Sequence, residues 1–183
     1  MEMKIISCIF LLIYLIIAFI DGLYFHIYKY KLYARVEARR EHLLHTLNAV
    51  LFPWSLYFIF FDRFKGVYLY FGVLLLIISL VVEYVDLYEE KKSRSQLGGL
   101  SSNEYAMHFS LSCLRGVYTT LILLAKPRSD WYILNSKFSE TNTELSLINF
   151  FIYPVIIVGI IVSIFHILLL FFKTKNAKEI TNL

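Results

Sequence analysis

Residues 145–172 read LSLINFFIYPVIIVGIIVSIFHILLLFF, a run without a single Asp, Glu, Lys or Arg. At about 1.5 Å of rise per residue, a helix of roughly 20 apolar residues crosses the ~30 Å hydrocarbon core of a bilayer. This run is long enough to do so, and four others precede it. Ile5 to Ile20, Leu43 to Phe61 and Gly66 to Val82 are charge-free, and Tyr105 to Ala125 carries only Arg115. The first pattern continues past Asp21 to Tyr28, and the third reaches spanning length if Glu83 to Tyr88 prolong its helix. None of the runs alternates apolar and polar residues, which excludes membrane β-strands. The sequence therefore predicts an all-α integral membrane protein with five transmembrane helices. Helices 1–4 form an antiparallel bundle with helix 5 packed alongside, in one polytopic domain over residues 1–183.

The composition agrees. The chain has 183 residues, 58% of them hydrophobic and 17% charged, with a mean hydropathy of +0.63. Soluble domains carry about 25% charged residues, so a soluble domain, a disordered chain and a nucleic-acid-binding tail are excluded. Cys8 and Cys113 form no CxxC motif and fall on different spans, which predicts two small buried residues and no disulfide. The first run is followed by Asp21-Gly22-Leu23-Tyr24 and not by a small-residue cleavage pattern, so it is read as a retained helix.

Basic residues set the expected orientation. Lys29, Lys31, Arg35, Arg39, Arg40, Lys91, Lys92, Arg94, Lys173, Lys175 and Lys178 fall on one side, against Lys4, Arg63, Lys65, Lys126, Arg128 and Lys137 on the other. The richer side is expected to be cytoplasmic, with the N-terminus outside and the C-terminus inside. The net charge of +4 then reflects membrane interfaces and not nucleic acid. The short Asp62 to Lys65 connection makes helices 2 and 3 antiparallel neighbours. Gly98-Gly99 break the chain before helix 4, Ser101-Ser102 supply its N-cap with Glu104 in the first turn, and Pro127 stops it. Trp131 and Tyr132, in the outer loop Lys126 to Glu144, suit interfacial anchors.

Ionisable residues concentrate at the expected cytoplasmic ends of the first four spans. Ionisable groups at membrane depth are costly and turn toward a bundle interior or a water-filled cavity. Glu41 and His45 are four residues apart, as are Glu104 and His108, so each pair shares a helix face. Asp21 precedes the first pair and Glu83 the second by nearly equal intervals, a weak chemical repeat that presents one ligand set from hairpin 1–2 and another from hairpin 3–4. Asp21, Glu41, His45, Glu83, Glu104 and His108 are thus the candidate metal ligands. Glu37, His42, Asp86 and His166 are second choices. His26 reads as a rim residue, and Glu89, Glu90, Lys91 and Lys92 as a solvated helix end. Arg115 requires a partner such as Glu83, or the head group of an anionic lipidic substrate, and Asn48 suits a supporting hydrogen-bonder.

Four helices supplying carboxylates and two histidines resemble, over about eight residues, the ligand logic of ferritin-like di-iron carboxylate bundles. Those use Glu-x-x-His, whereas here the spacing is Glu-x-x-x-His, so the likeness is one of chemistry and implies no shared family. Such oxygen and imidazole donors suit iron or manganese, in a binuclear site that offsets four carboxylates, or zinc if fewer ligands engage. Gly-rich phosphate loops, G-x-S-x-G, H-E-x-x-H and desaturase-type histidine boxes are absent. The leading expectation is a metalloprotein open to the cytoplasmic leaflet, surrounded by membrane lipids and acting on a lipid-like or quinone substrate as an oxidoreductase or hydrolase. Two alternatives stand beside it. One is a haem-binding anchor with His45 and His108 as axial ligands. The other is a non-enzymatic subunit whose helix 5, with Pro154 and Gly159, packs on a membrane protein partner.

Overall fold

The computed structural model describes residues 2–95, 98–136 and 147–171. It contains α1 (Glu2–Phe19), α2 (Arg39–Phe60), α3 (Val67–Ser93), α4 (Ser102–Leu124) and α5 (Leu147–Leu170). Helix α1 continues into a π-helical segment, Ile20–Lys29. Five helices, the first counted through Lys29, are long and apolar enough to cross a membrane, so the chain is an all-α membrane-spanning bundle. Lys173, Lys175, Lys178, Lys137 and the part of the outer loop from 137 to 146 lie outside the described residues.

Helix α2 packs mainly on α3 and α5, and α1 on α4. The α2–α3 neighbours expected from the short Asp62 to Lys65 connection are present, whereas the expected hairpin pairs 1–2 and 3–4 are not: α1 packs on α4, and α5 lies alongside α2. Small residues permit the close approaches. A Cβ on Gly72 of α3 would lie 2.7 Å from Phe58 Cβ on α2, and one on Gly159 of α5 would lie 3.1 Å from Pro53 Cβ. Hydroxyls stitch the same seams: Ser7 donates to the Tyr118 carbonyl across α1–α4 at 2.7 Å, and Ser163 to the Ala49 carbonyl across α5–α2 at 2.6 Å. Leu11, Tyr14, Leu56, Ile59, Phe60, Tyr118, Ile122 and Ile152 form the apolar core. It fills the half of the bundle away from the ionisable cluster.

The ends follow from local chemistry. Ser101 Oγ accepts from the Glu104 amide and Glu104 accepts from the Ser101 amide, a capping box that opens α4 and satisfies two of the helix's orphan donors. Gly66 starts α3 at φ +56°, in the left-handed region that glycine adopts without a Cβ penalty. Its amide donates to the Asp130 carbonyl at 2.7 Å. Cys113, expected to be buried, is exposed on the flank of α4, and both cysteines are free. Its side of α4 also carries Phe109, Ser112, Gly116 and Val117, which makes it a bilayer-facing surface.

At the end remote from the cluster, Asp62 in the α2–α3 connection receives hydrogen bonds from Lys4 at 2.7 and 2.6 Å and from Lys126 at 3.2 Å. Lys126 also donates to the Phe61 carbonyl at 2.9 Å, so the clamp ties the start of α1 to the segment that follows α4. Burial raises the Asp62 pKa, but the Lys4 hydrogen bonds and the Lys126 charge outweigh it and hold the carboxyl below its ordinary range. A carboxylate lowered on folding stabilises the fold fully above the unfolded pKa of about 4 and loses that contribution as pH falls through its lower folded value. Asp62 is half-exposed, so Asp62→Asn is expected to cost only about 1 kcal/mol at pH 7. Melting curves from pH 7 to pH 3 should show the gap between wild type and variant closing below about pH 4. A gap that stays constant across that range would rule out the ionic origin.

Candidate metal centre

Each of the first four spans delivers charged or imidazole side chains to one end of the bundle, and the local winding decides which. In the π-helical segment the Tyr30 amide bonds the Phe25 carbonyl at 3.0 Å, five residues back. This register carries residues five apart to the same side, so Asp21 and His26 both point inward, with His26 Nε2 3.7 Å from Asp21 Oδ1. An α-helical reading of the same stretch turns His26 away and makes it a rim residue. It is instead buried, at 3% exposure.

Helix α2 supplies Glu41 and His45 from one face. Helix α3 supplies Asp86 and Glu90, again four residues apart. His45 Nε2 lies 3.2 Å from Asp86 Oδ2, 3.9 Å from Glu41 Oε1 and 4.0 Å from Glu90 Oε1. Helix α4 supplies His108, whose Nδ1 is 3.1 Å from Glu90 Oε2 and whose Nε2 is 3.3 Å from Asp21 Oδ2. The two oxygens of Glu90 thus face imidazoles from two different helices. His26 packs edge-on against His45, with ring centroids 4.1 Å apart, and lies 6.0 Å from His108.

Two overlapping ligand sets result: His26, Glu41, His45 and Glu90, and Asp21, His26 and His108. Within each set the ligand atoms lie within 4.8 Å of one another. Ligands about 2.1 Å from an ion lie at most ~4.2 Å apart, so small side-chain rotations close either set around a cation. His26 Nε2, Asp21 Oδ1 and Asp86 Oδ1 are buried without a hydrogen-bond partner among the described residues, and His45 Nε2, His108 Nε2 and Glu90 Oε2 meet their 3.1–3.3 Å ion-pair neighbours without good hydrogen-bond alignment. Buried polar atoms ordinarily have partners. A neutral imidazole has one N–H, yet both ring nitrogens of His108 face carboxylate oxygens, which only accept. Either His108 carries a positive charge, or one of the two carboxyls is protonated and donates to it, or a cation stands between it and a carboxylate.

The sequence-derived candidates separate into three groups. Asp21, Glu41, His45 and His108 converge, joined by second-choice Asp86 and by Glu90 and His26. Glu90 had read as part of a solvated helix end and is in fact 2% exposed. Its neighbour Glu89 does reach the surface, where it pairs with Arg40 at 3.3 Å. Glu104 is adjacent but engaged elsewhere: one oxygen caps α4 and accepts from Tyr30 at 3.0 Å, and the other lies 3.2 Å from Arg94. Glu83 lies deeper, 2.7 Å from Arg115, and Ser112 donates to it. Glu37 is exposed ahead of α2. His42 and His166 stack on each other at 5.5 Å between α2 and α5. Asn48 accepts from Ser79 at 2.7 Å, and Ser79 in turn accepts from Arg115 at 3.1 Å.

Arg94 closes the cluster at its outer edge. It had counted among the loop charges, but it is 1% exposed, pairs with Glu41 at 3.2 Å as well as Glu104, and stacks 4.2 Å over the Tyr30 ring. Ser93 also donates to Glu41. A fixed guanidinium between two carboxylates holds the ends of α2, α3 and α4 together.

Neither a family model, nor a curated protein, nor a solved structure matches this chain.

Arg94→Met should leave Glu41 and Glu104 buried and uncompensated. Breaking a buried ion pair from one side costs about 3–5 kcal/mol, so a large fall in melting temperature is expected. Glu104→Gln in the same chain should recover part of it. Exposed Lys91→Ala should stay within about 0.5 kcal/mol of wild type. A fall for Arg94→Met no larger than for Lys91→Ala would show that Arg94 does not neutralise this cluster.

Proposed function

We propose that this protein is a membrane-embedded metalloprotein with a carboxylate/histidine site for two metal ions. The observation that carries the reading is Glu90, whose two oxygens face His45 and His108 across the bundle as a bridging carboxylate would. Electrostatics agrees. Asp21, Glu41, Asp86, Glu90 and Glu104 gather around the imidazoles with one guanidinium, Arg94, which pairs with Glu41 and Glu104, and this leaves four negative charges when the imidazoles are neutral. Two divalent cations carry the charge that offsets them, and clustered buried carboxylates without cations repel one another or take up protons. Asp86, Glu41 and His45 form the donors on one side, Asp21 and His108 those on the other, with His26 and Glu90 between. Oxygen and imidazole donors without thiolate favour iron or manganese, with zinc if fewer ligands engage. Imidazoles packed edge-to-face at 4.1 Å favour shared metal ligation over axial ligation of a haem ring.

A site at this depth, in a chain whose surface is apolar, supports chemistry on a lipid-like or quinone substrate drawn from the bilayer. The metal would supply redox capacity or an activated water, while Arg94 and the α4 capping box hold the ligand-bearing helix ends in place. The test is metal content of detergent-purified protein after metal-replete expression. About two ions per chain are expected for wild type and for Lys91→Ala. Glu90→Ala, His45→Ala and His108→Ala should each lose at least one. A metal-free parent protein, or unchanged metal in all three variants, would overturn the reading and leave the small-subunit alternative. A Soret band would favour haem.

The basic residues Lys29, Lys31, Arg35, Arg39, Arg40, Lys91 and Lys92 flank the end that carries the site. We therefore place that end at the cytoplasmic face, with the N-terminus outside. A reporter fused after Leu183 should be cytoplasmic, and an external signal would move the site to the other face.

A further inference from the structure

A cavity of about 160 Å³ runs from the ligand cluster toward the middle of the bundle, between α2 and α3 on one side and α1 with α4 on the other, with His166 of α5 also in its lining. Its deep end is a rung formed by Glu83 and Arg115, 2.7 Å apart. Each lies seven residues, about two turns, below a cluster residue on its own helix: Glu83 below Glu90, and Arg115 below His108. Arg115 is about 20 Å along α4 from Ser102 and about 14 Å from Leu124, well inside the hydrocarbon.

The rung is reachable from the bilayer. The helices pack as α2–α3 and α1–α4, so the cavity lies along the seam between the two pairs. At that seam Glu83 keeps a 24% exposed side chain, Ser112 is exposed and Leu87 is half-exposed. A Cβ added to Gly22 would meet no atom within 4 Å. The space is smaller than the ~300 Å³ that encloses a whole drug-sized ligand. It takes a head group and leaves an acyl chain in the membrane.

The polarity of the rung selects that head group. Arg115 donates to Tyr14 at 2.6 Å and to Ser79 at 3.1 Å, and its charge is already matched by Glu83. An anionic head, the sequence-based expectation for Arg115, would have to displace Glu83 and carry its own charge to mid-bilayer, which is costly. Arg115 Nε, a donor, is buried without a hydrogen bond, and Glu83 Oε2, 2.7 Å from Arg115 Nη1, has a second lone pair with which to accept. A hydroxyl is the neutral group that both donates and accepts.

We infer that the seam between α3 and α4 binds the hydroxyl head of a neutral long-chain amphiphile, with Arg115 and Glu83 as its partners and Ser112 and Leu87 at its opening. That this molecule is the substrate of the metal site rests on the function proposed above. Its binding at the seam does not.

The test is equilibrium binding of radiolabelled 1-hexadecanol to the purified full chain in nanodiscs, with palmitate and hexadecyl methyl ether as competitors. Saturable binding near one per chain is expected, with palmitate and the ether, which only accepts, at least tenfold weaker. Leu87→Trp and Ser112→Trp each narrow the opening and should weaken hexadecanol binding at least tenfold, with metal content unchanged. Leu87→Trp sits on an exposed flank, so it keeps the test alive if the serine variant misfolds. Non-saturable partitioning, palmitate binding as tight as the alcohol, or full affinity in Leu87→Trp would overturn the inference. Hexadecanol binding by a metal-free protein would overturn the metal reading alone. Metal without saturable hexadecanol binding would overturn the seam site alone.

Discussion

Four carboxylates, Asp21, Glu41, Asp86 and Glu90, are gathered with three imidazoles inside a membrane-spanning bundle, and the arrangement of its helix ends answers to their mutual repulsion. No single side chain neutralises the group. Arg94 is committed to Glu41 and Glu104, and Arg115 to Glu83 two turns deeper. The carboxylates gather at one end of the bundle, where compensation by protons or cations is available, and beyond the Glu83–Arg115 pair the core is formed by residues such as Leu56, Ile59, Phe60 and Ile122. A buried cluster of this sign costs several kcal/mol per ion in the absence of compensation. Whatever compensates it therefore stabilises the fold as well as the site.

Helix pairing follows from the same constraint. Packing α2 on α3 brings Glu41 and His45 against Asp86 and Glu90, and packing α1 on α4 brings Asp21 against His108. Glu90 joins the two pairs by facing His45 with one oxygen and His108 with the other. Hairpins 1–2 and 3–4 would instead have placed each expected ligand set within one pair. The small residues agree with the observed pairing. Gly72 admits Phe58 of α2, and Ser7 bonds across α1–α4.

Much of this was legible in the residues themselves. The five spans, the short α2–α3 turn, the capping box at Ser101 and the Glu41–His45 stripe each follow from periodicity or local hydrogen bonding, which act over a few residues. Two features did not yield. His26 is five residues from Asp21, and only a π-helical register faces both inward. Nothing in Ile20–Lys29 announces that register, since the extra residue per turn is imposed by what surrounds it. Glu90 sits in Glu89-Glu90-Lys91-Lys92, which composition alone assigns to solvent. The signal present was spacing: Glu83, Asp86 and Glu90 fall on one stripe of α3, at intervals of three and four. Weighing that stripe above the charge run would have placed Glu90 inside and marked Glu83 as its deeper member.

The stripe also explains why the deep rung and the rim differ in sign. Glu83 and Glu90 share a face of α3, and Arg115 and His108 share a face of α4, so the two helices meet twice, two turns apart. At the deep meeting, inside the bundle, the pair is a permanently charged guanidinium with one carboxylate, neutral in sum. At the rim the partner is an imidazole, whose charge is variable and whose nitrogen binds metals when neutral. Exchanging the two would leave a charge-variable histidine in the hydrocarbon and a fixed cation beside Glu90. The order along the stripe thus separates a charge-matched rung inside the bundle from a rim rich in carboxylates and imidazoles.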